Sequence, residues 1–432
     1  MRLSLSLLIA VPACAAAVGP SSSRGAAGPG SGVSTGSAFA APEVPAVRLP
    51  TLPGVATYGA AAAQQLRGLV RPDALRARLA EEIRRVAEAA RRPVPVSDVR
   101  LDAVAQDLAV ALRGAQLPPF ETVDFLLSHY GLVEPAPNFL LARASADADQ
   151  EVTSQMGAQI AELYKSSRIA QVGVGVHRTP TGEMAVVVAL QEKNVVLGAV
   201  PRRVNPGDEI PVAGQLLGTH RRPEVIVTTP DGHARELPTS TDATGVSFRA
   251  DVRCNQGRGR YQVEVTGIDA LGTAVVANFP VFCGVAPPAQ PPALLPTRAQ
   301  PWTAAESEGR LLDLVNRDRR AAGLPPVALD QALSVVARAH SQDMADHGFV
   351  GHVSPSTGNA LDRVRRSGFR PALLLENVGR AYSPDEVETG LMQSPGHRAN
   401  ILYRGVTRIG IGVVVGKEVT GTSPLLVTQV FM

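Results

Sequence analysis

Apolar residues recur at helical spacing in two separate parts of the chain. A spacing of three or four residues places apolar side chains on one face of a helix. The pattern predicts two helices in each part, within residues 72–92, 99–114, 307–323 and 329–348. Asp330 is a suitable N-cap for the last of these helices, and Gly348 is a typical helix stop.

Alternating apolar residues follow the helices in both parts. Residues 171–190 predict a β-hairpin about the turn "TPTG", and residues 408–432 predict two antiparallel strands. Between the two parts, residues 193–284 contain short apolar segments separated by turn residues. This spacing is typical of an immunoglobulin-like β-sandwich. The region has no tryptophan, so the prediction concerns the architecture and not an antibody-type domain.

Composition divides the chain further. With 432 residues, 45% hydrophobic and 19% charged, the chain is globular in composition and too long for a single core. Stretches rich in Gly, Ser, Pro and Ala predict a disordered tether at 19–54 and a Pro-rich linker at 285–301. The remainder forms an α+β domain at 55–192, the sandwich at 193–284 and a second α+β domain at 302–432. We therefore predict an α+β multidomain fold.

The charge pattern excludes one class of partner. The net charge is +3, from 42 basic and 39 acidic residues that are scattered along the chain. A protein that binds a phosphate backbone carries its basic residues in a patch or stripe. We therefore expect no nucleic acid partner.

The N-terminus resembles an export signal. Residues 1–18 combine Arg2, a short apolar stretch and the segment "VPAC". The apolar stretch is too short to remain in the membrane as a spanning helix. "VPAC" also resembles a bacterial lipobox, in which Cys14 becomes the lipidated first residue of the mature protein. This interpretation predicts an outer-membrane, periplasmic or cell-surface lipoprotein; the alternative is an ordinary secretory signal cleaved within "ACAAA".

The number of cysteines favours lipidation. The chain has three cysteines, so Cys254 and Cys283 remain as a pair if a lipid takes Cys14. Exported proteins meet an oxidising environment, which favours disulfides. We therefore predict a bond between Cys254 and Cys283, worth about 3–4 kcal/mol of stability. The alternative is two buried free thiols.

Four motifs of the last domain resemble, in the same order, those of one known family. They are "GHVSP" at 351–355, "ENVG" at 376–379, "SPGHRANIL" at 394–402 and "RIGIGV" at 408–413. The domain resembles the CAP superfamily, which comprises the cysteine-rich secretory proteins, antigen 5 and pathogenesis-related proteins, and its bacterial branch is the closer match. The resemblance covers less than a third of the chain.

The resemblance implies an α-β-α sandwich with an open cleft. In such a cleft two histidines and two acids from different loops converge and can hold Zn²⁺ or another divalent metal. By this alignment His352 and His397 are the two histidines and the metal ligands, and Glu376 is the first acid. The position of the second acid falls on Ser394, which is not an acid, although Glu386 and Glu388 lie near it in sequence.

The residue types themselves are compatible with such a site. Two imidazoles and one carboxylate match a catalytic zinc shell that leaves a position for water. Glu376 could instead anchor its loop through hydrogen bonds, and two imidazoles alone form a weak metal site. His340 and His347, on one face of a predicted helix, are expected to be structural.

Two main functions follow from these expectations. The first is binding of an extracellular or cell-envelope ligand (a lipid, glycan or peptide) in the cleft of an exported, lipid-anchored protein. The alternative is a metal-dependent hydrolase of peptide or cell-wall bonds, with Glu376 as the candidate catalytic residue. Because Ser394 replaces one candidate general base, binding is favoured over catalysis. A third hypothesis is a purely structural role with a vestigial cleft.

An internal repeat is a further hypothesis. Residues 157–176 align with residues 396–413, so that Gly157 meets Gly396 and Ala158 meets His397. The first domain would then be a degenerate copy of the last one that has lost its imidazoles. The alternative is that any helix followed by a strand rich in Val and Gly would align equally well.

Overall fold

The computed structural model describes residues 4–9, 49–112, 119–165, 167–292, 302–417 and 423–432. Cys14 and most of the predicted signal, tether and Pro-rich linker lie outside these ranges, so lipidation of Cys14 stays a prediction. No helix of the described residues is both long enough and apolar enough to cross a membrane.

The first domain is a sheet covered by helices on both faces. Its helices are α1 (Ala60–Leu66), α2 (Ala74–Ala89), α3 (Val99–Ala111), α4 (Phe120–His129) and α5 (Asp149–Leu163). Its strands are β1 (Ser4–Ile9), β2 (Thr57–Tyr58), β3 (Val96–Ser97), β4 (Asn138–Ser145), β5 (Gln171–Arg178) and β6 (Glu183–Gln191). The main sheet has the order β1-β4-β6-β5-β3, with α2 and α5 packed on one face and α1, α3 and α4 on the other. The hairpin predicted about "TPTG" is confirmed as β5 and β6.

The end of the predicted tether packs against this domain. Leu49 is 3% exposed, and the backbone N–H of Thr51 donates to Oδ1 of Asp107 at 3.1 Å. The hydroxyl of Tyr130 donates to the other oxygen of the same carboxylate at 2.5 Å. The predicted disorder is therefore wrong for residues 49–54. Composition could not show it, because the stabilising carboxylate lies on α3, far along the chain.

The central domain consists of two sheets packed face to face. Its strands are β7 (Val195–Leu197), β8 (Val200–Pro201), β9 (Arg203–Val204), β10 (Glu209–Leu216), β11 (Arg221–Thr228), β12 (Ala234–Leu237), β13 (Ser240–Thr241), β14 (Ser247–Arg253), β15 (Gly259–Asp269) and β16 (Gly272–Cys283). The sheet orders are β13-β14-β10-β7 and β12-β11-β15-β16-β9, and β8 pairs with β2 of the first domain. Both sheets contribute to one core, which includes Val212, Phe248, Val263 and Phe279. The immunoglobulin-like assignment of this sandwich stays a prediction.

The predicted disulfide joins Cys254 and Cys283, which are separated by 29 residues. Both cysteines are buried in the core of the sandwich. The bond ties the end of β16 to the loop that follows β14. The alternative of two free thiols is therefore wrong.

The last domain is an α-β-α sandwich. Its helices are α6 (Ala304–Ala321), α7 (Gln331–His347), α8 (Ala360–Arg366), α9 (Pro384–Gln393) and α10 (Pro395–Ile401), and its strands are β17 (Ala328–Leu329), β18 (Leu375–Ala381), β19 (Arg408–Val415) and β20 (Leu425–Phe431). The sheet order is β17-β19-β20-β18. Helix α7 packs on one face, and α6, α9 and α10 pack on the other. As predicted, Asp330 caps α7 by accepting from the N–H of Leu333 at 3.0 Å, and Gly348 ends it in the left-handed conformation.

Two glycines of β19 let the sheet approach α7 closely. A Cβ on Gly410 would lie 2.5 Å from a backbone atom of Leu333, and a Cβ on Gly412 would lie 2.0 Å from the backbone nitrogen of Arg338. The pattern "GIGIGV" is therefore a packing feature. In the first domain, Gly173 and Gly175 of β5 approach the backbone of α3 in the same way.

The first and last domains share the order of four strands. The orders β3-β5-β6-β4 and β17-β19-β20-β18 correspond strand by strand. In both domains the short strand pairs in parallel with the first strand of the terminal hairpin. The strand between the helices pairs antiparallel with the second strand of that hairpin.

Candidate functional site

The loop after α7 and strand β18 bring His352 and Glu376 together. Nδ1 of His352 lies 2.9 Å from Oε1 of Glu376. Nη2 of Arg363, on α8, donates to Oε2 of the same carboxylate at 2.6 Å. Nη1 of Arg363 also donates to the backbone carbonyl of His352 at 3.1 Å, so the arginine fixes the loop and the carboxylate together.

These partners keep Glu376 ionised. Burial by itself would raise the pKa of this carboxyl, which is 5% exposed, but the hydrogen bond with His352 and the charge of Arg363 lower the pKa to about 2. Both oxygens are engaged. A carboxylate with this pKa is a weak proton acceptor at neutral pH. The arrangement therefore agrees with the anchoring role for Glu376 and not with the role of general base.

His397 lies on α10 and is fully buried, with 0% exposure. Its Nδ1 lies 2.7 Å from Oγ of Ser394, and its Nε2 has no hydrogen-bond partner among the described residues. Burial, and then the nearby His352, lower the pKa of His397 well below its usual value, so the ring is neutral at pH 7. Nδ2 of Asn377, the residue after Glu376, donates to the carbonyl of His397 at 3.4 Å, so the strand that carries Glu376 lies against α10. That the two imidazoles form one site stays a prediction.

The sequence did not indicate one residue of this site. Glu264, on strand β15 of the sandwich, accepts a hydrogen bond from the hydroxyl of Ser394 through Oε2 and one from the N–H of Gly396 through Oε1, the latter at 3.0 Å. Glu264 is 0% exposed, and burial raises its pKa to about 7 against the effect of these two hydrogen bonds. A carboxylate thus does lie beside Ser394, but it belongs to another domain.

The hairpin formed by β15 and β16 also covers the "GHVSP" loop. The N–H of Val353 donates to the carbonyl of Leu271 at 2.9 Å, and a Cβ on Gly272 would lie 3.2 Å from Cβ of His352. The side chain of His352 is 13% exposed. The expectation of an open cleft is therefore wrong at this edge of the last domain, because the outer face of the sandwich packs against it.

The two other acids considered for the site have different partners. Glu386 accepts a hydrogen bond from the N–H of Tyr382 at 3.0 Å, at the start of α9. Glu388 is 1% exposed and accepts from the side chain of Gln429 at 3.2 Å, and burial raises its pKa to about 8. Of the three acids, Glu264 is the one bonded to Ser394.

The two histidines of α7 form hydrogen bonds or ion pairs with residues close to them in sequence. Nε2 of His340 lies 2.9 Å from the carbonyl of Gly351, so this buried ring supports the start of the "GHVSP" loop. Nδ1 of His347 lies 2.8 Å from Oδ1 of Asp343, one turn earlier on the helix.

A divalent metal at this site would need Glu376 as a third ligand. Both oxygens of Glu376 are already bonded to His352 and Arg363. The Nε2 atom of His397 suits a metal ligand, but even together with the ring of His352 it does not make a shell of three or four ligands. Across the described ranges, no group of three or more His, Cys, Asp or Glu side chains could hold a metal ion. The residues present therefore do not fit the predicted zinc shell of two histidines and Glu376.

Comparison with known proteins identifies relatives of the last domain. Residues 312–431 match the model of the cysteine-rich secretory protein family, CAP. The uncharacterized protein YkwD of Bacillus subtilis (strain 168) is 37% identical over 119 residues, which is 27% of this chain and 46% of that protein. The uncharacterized membrane protein YlbC of the same strain is 36% identical over 109 residues, or 25% of this chain and 31% of that protein. The chain thus spans less than half the length of these curated relatives.

Similar solved structures are more distant. An extracellular protein containing an SCP domain from Bacillus anthracis str. Ames is 17% identical, with a TM-score of 0.28 and coverage of 74% of this chain and 97% of that one. A cysteine-rich secretory protein from Staphylococcus aureus subsp. aureus Mu50 is 14% identical, with a TM-score of 0.24 and coverage of 65% and 89%. The family model covers the α-β-α sandwich that carries both histidines, and this C-terminal domain belongs to the bacterial branch of the CAP superfamily.

Proposed function

We propose that this protein is exported and binds an extracellular or cell-envelope ligand at the paired imidazoles of its CAP domain. The observation that carries the proposal is the Nε2 atom of His397, a buried ring nitrogen with no partner among the described residues. Both rings are held through Nδ1, His352 by Glu376 and His397 by Ser394. Rings fixed in this way are preorganised for a ligand. Because Nε2 of His397 is buried, binding requires the sandwich edge that covers it to open.

The hydrogen-bond pattern suggests which chemical groups the ligand offers. When Glu264 is ionised, the hydroxyl of Ser394 donates to it, so the Ser394 oxygen accepts the proton of Nδ1 of His397. Nε2 of the neutral ring then carries a lone pair and accepts a hydrogen bond. Among the ligand classes considered, glycans and peptides offer O–H and N–H donors, whereas lipid chains do not. We therefore favour a glycan or peptide.

Export is supported by the Cys254–Cys283 bond, since structural disulfides form in oxidising compartments. The charged and apolar start of the sequence agrees with it. Cleavage of this signal would remove β1, the edge strand paired with β4, from the mature protein. Binding is preferred over hydrolysis because Glu376, the candidate catalytic residue, has both oxygens bonded and a pKa of about 2.

We also infer that the first domain is a degenerate CAP copy that serves as a scaffold. The two domains share a second feature besides the strand order. In β5 and in β19, the residue between the two glycines donates a backbone hydrogen bond to the helix that packs against the strand. Val174 donates through its N–H to Asp102 at 2.8 Å, and Ile411 donates to Ser334 at 3.1 Å. Asp102 and Ser334 are each the fourth residue after the N-cap of their helix. With Ala158 at the position of His397, such a copy keeps the packing and lacks the imidazoles.

Sedimentation of the full-length protein with purified peptidoglycan tests the binding function. We expect the wild type to be retained, and His352→Ala and His397→Ala each to weaken retention by about tenfold, the effect of one buried hydrogen bond. His233→Ala is the matched control, because that ring is exposed on the sandwich, and it should bind as the wild type does. Lipid vesicles serve as the second probe and should not retain the protein through this site. Equal retention of all four proteins on peptidoglycan, or none of any, would contradict the proposal.

A further inference from the structure

We propose that Glu264 of the β-sandwich is a positioning residue of the CAP site. It supplies the carboxylate that the CAP domain lacks at Ser394, selects the protonated nitrogen of His397 and closes the site over that ring. The inference deepens the proposed function, since it concerns the same pair of imidazoles. With Glu264 included, the site is formed by residues of two domains.

The burial pattern of β15 shows that its outer face is an interface. Val263 and Val265 belong to the core of the sandwich. The alternate residues Gln262, Glu264 and Thr266 point away from that core, yet they are 6%, 0% and 1% exposed. On a sandwich standing alone this face would be solvated. Buried polar side chains require partners, and Glu264 finds both of its partners in the CAP domain.

The contacts of Glu264 extend to the imidazole through one hydroxyl. When Glu264 is ionised, above its pKa of about 7, it only accepts hydrogen bonds, so Ser394 donates its single proton to Glu264 and accepts from Nδ1 of His397. Without Glu264 the Ser394 hydroxyl is free to donate to Nδ1, and the ring proton can move to Nε2. Glu264 therefore acts on the site through Ser394 and determines that Nε2 is an acceptor.

Further contacts hold the sandwich over the same edge of the CAP domain. Besides the bond from Val353 to Leu271, the side chain of Asn278 on β16 donates to the carbonyl of Gln393 at 3.2 Å. Nε of Arg398, next to His397, donates to the carbonyl of Gly232 at 3.2 Å. Glu264 lies among these contacts and contributes two of the hydrogen bonds, so its removal should loosen the edge that covers His397.

The rate of histidine modification by diethyl pyrocarbonate, followed by mass spectrometry on the full-length protein, tests the inference. The internal reference is His340, which is 1% exposed and lies on α7 of the CAP domain, with its Nε2 bonded to the carbonyl of Gly351. Glu264→Ala should raise the rate at His397 by about ten- to a hundredfold, as expected for the loss of charge-assisted hydrogen bonds, and leave His340 unchanged. The matched control is Thr266→Ala, on the same face of the same strand, because the hydroxyl of Thr266 has no hydrogen-bond partner among the described residues, and it should leave both rates unchanged.

Nitrogen NMR of the histidine rings provides the readout that a purely structural role would not change. At a pH above the Glu264 pKa of about 7, the wild type should show His397 protonated at Nδ1, and Glu264→Ala should shift the proton towards Nε2. Glu264→Gln, which keeps an acceptor oxygen, should restore most of the wild-type signal. An unchanged His397 rate and tautomer in Glu264→Ala would overturn the inference, and so would a parallel rise at His340, which reports opening of the whole domain. No ligand is used, so these results are independent of the peptidoglycan assay.

Discussion

Gly412→Ala is expected to lower the free energy of unfolding of the CAP domain by about 3 kcal/mol or more. The new Cβ would lie 2.0 Å from the nitrogen of Arg338 and 2.2 Å from the carbonyl carbon of Ala337. Both atoms belong to the backbone of α7, so no side chain can rotate to make room. The helix and the sheet must separate, which costs packing along the whole contact. Urea unfolding followed by circular dichroism measures the loss.

Gly309→Ala provides the control for this substitution. Gly309 lies exposed within α6, and a Cβ there would meet no atom within 4 Å. Alanine is the better helix former, so we expect a gain of about 0.5–1 kcal/mol. If the free energy of unfolding of Gly412→Ala stays within about 1 kcal/mol of the wild-type value, β19 and α7 lie further apart than the structure shows.

Glu376→Gln is expected to destabilise the CAP domain by about 3 kcal/mol at neutral pH. A pKa lowered from 4.5 to about 2 corresponds to a stabilisation of about that size. The substitution also leaves Arg363, which is 5% exposed, with a buried charge and no carboxylate partner. Chemical denaturation at pH 7 measures the difference.

The pH dependence of this effect has a definite sign. The folded-state pKa of Glu376 is depressed, so its stabilisation is present above the unfolded value of 4.5 and is lost as the pH falls towards about 2. The difference between wild type and Glu376→Gln should therefore shrink over that window. The control Glu209→Gln removes an exposed ion pair with Arg253 and should stay within about 0.5 kcal/mol of the wild type at every pH. A difference for Glu376→Gln that grows on acidification would contradict this assignment.

Local sequence patterns predicted the elements whose determinants lie close together. The helix α7 was predicted from its cap Asp330, its apolar face and its stop Gly348, all within one segment. The strands of the sandwich followed from alternation and turn residues. The α-β-α sandwich of the last domain was predicted from the order of family motifs, which encode a fold that local periodicity cannot show; the pairing of His352 and His397 within it stays a prediction.

Features that depend on packing between distant segments could not be predicted. Glu264 alternates with valines as any solvent-facing residue of a strand does, and its partner Ser394 is 130 residues away. Its burial follows from the position of another domain. Likewise, Thr51 lies in a stretch of tether-like composition, and it is ordered by Asp107, a carboxylate 56 residues further on.

Amide hydrogen exchange at Gly396 and Val353 tests most directly whether the sandwich closes the histidine site. Gly396 lies in the first turn of α10, where an N–H has no acceptor within the helix, and its acceptor is Glu264. Val353 lies in a loop and donates to Leu271. We predict that in the full-length protein both amides exchange at least about a hundredfold more slowly than unprotected amides. Exchange of both amides at the unprotected rate would show that the sandwich does not cover His352 and His397.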